Sequence, residues 1–250
     1  MKSGLLLSGK PMKTSNGISI YPLTLGEIME LGMVNYSYLI SFLTLKDEML
    51  KALYQLQDDM LEEMKKEKLK LLISIILSDE DMGMKLLYFI SNITKRRVLI
   101  EDETIFIVEE IKEDGEKKEI KIPFTNKDYE EIIDILELQN CSKTVEEIEE
   151  YEDDPEIRAF IEKKNRLNKI IDEASNKDED VTLEDLVSSL AVANAGLNIL
   201  NIWDLTLYQF YNQLKRYNAK VNADMAIRSM LAGASDVELK NWMGNLSENK

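Results

Sequence analysis

Charge in this chain is confined to one stretch, and that confinement limits where a core can form. Residues 101–180 carry 28 Asp/Glu against 12 Lys/Arg. Residues 1–100 carry 12 acids and 13 bases, and residues 181–250 carry 7 and 6. The formal net charge of −16 therefore belongs to the middle stretch alone. Two nearly neutral flanks, rich in aliphatic and aromatic residues, enclose it. The pattern reads as a scaffold with a solvated acidic insert. Three segments are expected: an N-terminal hairpin with helices over 1–100, an acidic hairpin and helical insert over 101–180, and a helical module over 181–250.

Several function classes fall away on residue types. At 250 residues the chain can bury a real core, as one large domain or two small ones. It has no histidine, so the commonest metal ligand and the commonest general base are missing. Ser-His-Asp and Cys-His catalysis cannot be built from it. A single cysteine, Cys141, forms no internal disulfide and suits a reducing compartment. The acid clusters Asp79-Glu80-Asp81 and Asp178-Glu179-Asp180 lack the alternating ligand spacing of a calcium loop. No phosphate-binding or nucleophile-elbow motif occurs, so no enzyme and no cofactor are expected. Paired carboxylates are too abundant to mark a site. Nucleic acid is an unfavourable partner for so acidic a chain. The cluster Lys95-Arg96-Arg97 is expected to complement a helix C-terminus. No apolar run reaches the roughly 18–20 residues of a membrane span, and a cytoplasmic protein is expected.

Local signals give a mixed fold, mainly α with a small β component (α+β). Lys10 to Thr14 and Ile18 to Tyr21 flank Asn16-Gly17, which predicts a hairpin through a type I′ turn. Thr24 and Glu27 have capping-box spacing, and Gly32 should end the helix they open. Tyr36 to Leu43 is a short buried helix or a connector. An apolar stripe over 46–77 predicts helix, and Ser78 or Asp79 should cap a second helix over 81–94. Leu86, Leu87, Phe89, Ile90 and Ile93 are its core set. A β-hairpin is expected over 104–122 around Asp114-Gly115, with Ile120 and Ile122 inward. Thr125-x-x-Asp128 opens a helix carrying Tyr129, Ile132, Ile133, Leu136 and Leu138. A further helix is expected from Asp154-Pro155 to about Ile171, and a linker over 175–180 where limited proteolysis should cut first.

Thr182-x-x-Asp185 starts the C-terminal module. There Trp203, Leu207, Phe210, Leu214, Tyr217 and Val221 recur at alternating intervals of 4 and 3, a coiled-coil-type seam. Tyr208 and Tyr211 widen it. Asp204 is the expected N-cap, and a break is expected near 222–224, followed by another short helix to Leu231 and a final turn holding Val237, Leu239 and Trp242. Trp203, Leu207, Tyr208, Phe210, Tyr211, Leu214 and Tyr217 are the candidate partner-binding residues, because aromatics anchor interfaces. The competing reading packs this seam on residues 183–200. The methionines, 12 in all, fit either an adaptable binding groove or plain core.

Two blocks at opposite ends resemble a known group. Gly9-Lys10-Pro11 and Gly17-Ile-Ser-Ile-Tyr-Pro-Leu-Thr-Leu-Gly-Glu-Ile28, with Gly32, resemble the start of tailed-phage structural-module proteins. Asn201-Ile-Trp-Asp-Leu-Thr-Leu-Tyr-Gln-Phe-Tyr211 resembles their C-terminal helix, and Trp242 fits the same pattern. The group is similar to baseplate-hub and tail assembly chaperones of contractile-tailed phages. The resemblance implies a phage tail or baseplate assembly factor, chaperone-like, binding tail or baseplate proteins in the host cytoplasm. A permanent structural subunit of the tail, baseplate or connector, carried in the virion, is the alternative. Oligomeric state is left open.

Overall fold

The computed structural model describes residues 2–45, 67–113, 116–142, 182–193, 196–235, 237, 239 and 241–243. Residues 46–66 of the helical stretch expected over 46–77, the expected helix over 154–171, the Asp114-Gly115 turn and the 175–180 linker lie outside the described residues. Among the described residues, eight helices and two small antiparallel sheets make a mixed α+β fold. The chain divides into two compact units. One is Met1–Lys143 with Trp203–Tyr211, and the other is Thr144–Ile202 with Asn212–Lys250.

The first unit begins with α1 (Lys2–Ser8), then strands β1 (Met12–Lys13) and β2 (Ser19–Ile20), paired Met12 to Ile20 and Lys13 to Ser19. The hairpin is present, but its turn is not type I′. Gly17 alone takes a positive φ, of 85°. Its N–H donates to the Thr14 carbonyl while Thr14 N–H donates to Ile18. That is the three-residue loop with a left-handed glycine, which needs only one φ > 0 position. α2 (Leu25–Leu31) carries the full Thr24–Glu27 capping box and stops at Gly32, φ 81°. Tyr36 to Leu43 resolves as helix, inside α3 (Met33–Leu43).

α4 (Lys68–Ser78) and α5 (Glu80–Thr94) pack as a tight pair, with Asp79 capping α5 through the Met82 N–H. Gly83 permits the approach, since a Cβ there would lie 2.2 Å from the Ile76 carbonyl oxygen. Leu86, Phe89, Ile90 and Ile93 are buried as the spacing requires, while Leu87 is half-buried. Lys95, in the left-handed region at φ 52°, ends α5. The cationic cluster pairs with carboxylates: Lys95 with Glu27, Arg96 with Glu109 and Arg97 with Glu119.

The second sheet has three strands in the order β3-β4-β5: β3 (Arg97–Glu101), β4 (Thr104–Glu113) and β5 (Glu116–Pro123). β3 was missed because Arg97 and Glu101 bracket too short an apolar run. Ile105 and Ile107 are buried, but Ile120 is 42% exposed, so the expected inward Ile120–Ile122 face holds only toward Ile122. Ile120 stands opposite Glu109, beyond the covered part of the sheet.

α6 (Asn126–Gln139) opens on the Thr125–Asp128 capping box and buries Tyr129, Ile132, Ile133, Leu136 and Leu138. Residues 101–142 therefore contribute buried side chains despite their acidity; most of their charged groups face out. Asp128 is the exception. It is fully buried and accepts from Thr14 Oγ1 at 3.0 Å, Asn16 Nδ2 at 2.7 Å and the Thr125 N–H at 3.1 Å. Burial pushes its carboxyl up, and the bonds from Thr125, Asn16 and Thr14 outweigh that and hold it below the ordinary 3.8. Ser15 adds two bonds to Glu131, so the N-terminal hairpin is fastened to the first turns of α6. Tyr129 donates to the Leu43 carbonyl at 2.5 Å, and its hydroxyl is pushed up by burial.

In the second unit, α7 (Leu183–Ala193) opens where Thr182 and Asp185 exchange hydrogen bonds, and it buries Val187 and Leu190. A short 3-10 turn, Ile202–Asp204, precedes α8 (Leu207–Leu231), which runs unbroken for 25 residues. No break occurs at 222–224. Asn222, Ala223 and Asp224 are helix-compatible, and nothing there forces a stop. The helix ends at Gly233, φ 96°, where Gly233 donates to Met230 and Ala234 to Ser229. That is the Schellman pattern.

Candidate functional site

The candidate residues sit on the 3-10 turn and the first three turns of α8, and the structure splits them. Thr206, not Asp204, caps α8. Its N–H donates to Gln209 Oε1 at 2.9 Å, and its Oγ1 accepts from the Gln209 N–H at 3.3 Å. The signal was present as Thr206-x-x-Gln209, a capping box two residues after the aspartate.

Residues Trp203–Tyr211 are seated in the first unit. Thr24 and Thr206 form an antiparallel bridge, and the Leu25 N–H donates to the Leu205 carbonyl at 2.8 Å. Gln209 Nε2 donates to the Leu7 carbonyl at 2.9 Å. Gly9, φ 66°, lets the chain pass closely, because a Cβ there would lie 3.1 Å from Gln209 Nε2. Gly26 lies against the Trp203 carbonyl, where a Cβ would stand 3.4 Å away. Leu207 is 5% and Phe210 0% exposed, while Trp203, Tyr208 and Tyr211 are half-buried. Phe210 meets Tyr211 edge-on at 5.5 Å. Burial, with Cys141 adding to it, raises the Tyr211 hydroxyl. Leu207 and Phe210 are thus buried within the first unit. Both sequence readings missed this seat. The segment it joins lies some 180 residues away, and helical periodicity carries no information about such a partner.

Leu214 and Tyr217, both half-buried, fall among the residues of the second unit. There Arg216 Nη1 donates to the Trp242 carbonyl at 3.0 Å, within a turn rather than a helix. Past them α8 changes character. Met225, Ile227, Met230 and Leu231 are exposed, Leu231 by 83%, and Val192, Ile199 and Leu200 of the same unit are exposed too. The short separate helix expected to Leu231 after a break at 222–224 is instead the continuation of α8. Among the described residues no group of His, Cys, Asp or Glu is arranged to hold a metal ion, and no helix is long and apolar enough to cross a membrane.

One family model matches: the YomV second domain, over residues 174–247. The match takes in α7, the 3-10 turn and all of α8, and the family name is phage-derived. No curated protein matches the chain. No solved structure matches it either.

Proposed function

We propose that this chain is a phage tail or baseplate assembly factor that works by protein–protein binding, chaperone-like, and is not an enzyme. The observation that carries the reading is the run of exposed Met225, Ile227, Met230 and Leu231 inside the region matched by the phage-derived family. Methionine and aliphatic side chains on a helix suit an adaptable apolar contact with another chain. The net charge of −16 keeps a protein with such a surface soluble and disfavours acidic wrong partners. The partners are tail or baseplate proteins, met in the host cytoplasm. The test is quantitative mass spectrometry of assembly intermediates and of purified particles. The reading expects the chain on intermediates and far below stoichiometric level in finished particles. A fixed stoichiometric copy number in particles would make it a permanent subunit instead.

A further inference from the structure

β3 stands at an edge of its sheet, and its outer side is open among the described residues. The two-residue turn Asp102-Glu103, positive in φ at both positions, sets Ile100 opposite Ile105 and Val98 opposite Ile107. Ile105 accepts from the Phe124 N–H, so its backbone faces β5. In an antiparallel pair, the residue opposite such a position turns its own N–H and C=O away from the pair. The backbone groups of Ile100, and of Val98 two residues back, therefore point out of the sheet. The opposite edge differs in kind. β5 carries Lys117, Lys118, Glu119 and Lys121 and ends on Pro123, and such charges and a missing N–H guard an edge against pairing. β3 carries the half-buried run Val98-Leu99-Ile100 between one cation, Arg97, and one anion, Glu101.

That run complements itself when reversed. An antiparallel copy centred on Leu99 sets Val98 opposite Ile100 of the second copy and Arg97 opposite Glu101 of the second copy, and symmetry repeats both pairs. The register also suits the backbone. The outward groups of 98 and 100 meet their counterparts in reciprocal N–H···O=C bonds. Positions 97, 99 and 101 then fall at the close, non-hydrogen-bonded places where cross-strand side chains touch. The charges remain available for this. Arg97 meets Glu119 through Nη2 at 2.6 Å, which leaves the rest of its guanidinium fork for a second carboxylate. Glu101 accepts from Lys121 and keeps a lone pair on each oxygen. A second copy extends these ion pairs into a ladder across the seam and breaks none of them. We infer that two copies of this chain join through the outer edge of β3, about a twofold axis at Leu99, merging their three-stranded sheets into one. A seam of 5 residues is small, so the dimer is weak and concentration-dependent.

Sedimentation velocity of the full chain over a concentration series tests this, with charge exchanges to identify the seam. Arg97→Glu places anions opposite each other across the axis, and Glu101→Arg does the same with cations. Each variant alone should self-associate about tenfold more weakly than the parent chain. An equimolar mixture of the two should regain the parent's dimer, because each chain then complements the other. Crosslinking reads the register independently. In a Cys141→Ser background, Leu99→Cys should oxidise to a disulfide-linked dimer, since its Cα atoms would stand about 4.5 Å apart across the axis. Arg97→Cys should not, since its two copies would stand about 13 Å apart along the seam. A chain that stays monomeric at every concentration overturns the inference and leaves the edge to a strand of another protein. So does a dimer indifferent to both charge variants, or equal crosslinking of Leu99→Cys and Arg97→Cys.

Discussion

The two ends of α8 have similar apolar content and opposite fates. Its first turn buries Leu207 and Phe210 in the first unit, under a backbone bridge and the Gln209–Leu7 bond. Its last turns leave Met225, Ile227, Met230 and Leu231 in solvent. Helical periodicity is the same kind of signal at both ends. What holds the first turn is a distant strand-like segment, 24–25, that bridges to Thr206 and donates to the Leu205 carbonyl. The difference teaches that a seam identifies a sticky face and leaves open whether the chain itself supplies the cover.

The largest effect should come from breaking the buried end. Phe210→Ala should cost ~3–5 kcal/mol, read by denaturant unfolding, because it removes a fully buried ring. A loss below about 1 kcal/mol would remove the buried-end half of the comparison. Next is the carboxylate that fastens the N-terminal hairpin to α6. Asp128→Ala leaves Thr14 and Asn16 without their shared acceptor and should cost ~1–3 kcal/mol. The same carboxylate sets an acid limit. Its folded pKa is depressed, so its contribution is complete above the ordinary 3.8 and is lost as pH falls through the lower folded value. Stability of Asp128→Ala should therefore fall less steeply with acid than that of the parent chain. Thr206→Ala removes the cap of α8 and should cost ~1 kcal/mol. Leu231→Ser, at the exposed end, should stay within about 0.5 kcal/mol of the parent.

Much of the fold was legible locally. The boxes at Thr24–Glu27 and Thr125–Asp128 and the stop at Gly32 are short-range devices, written within four to eight residues. They appear where the sequence puts them. The misreadings share a different cause. Asp204 lost to Thr206 because two capping residues competed within one turn. The break at 222–224 was inferred from polar composition, which a solvent-facing helix tolerates. Ile120 was placed inward by alternation, yet alternation fixes the face of a strand and not how far along it the cover extends. The candidate site was half legible: the residues could be named, but the segment 203–209 is held by contacts with residues 7, 9 and 24–26. No local rule links those positions to 203–211.

On the proposed function, the far end of α8 meets another protein during assembly, whereas Leu207 and Phe210 at the near end are buried. A photo-crosslinking residue placed at Leu231, with a matched control at the exposed Lys70 of α4, tests it in infected cells. The account predicts a covalent adduct from position 231 whose second component, identified by mass spectrometry, is a tail or baseplate protein, with none from position 70. No adduct from 231, or the same adducts from both positions, would contradict it.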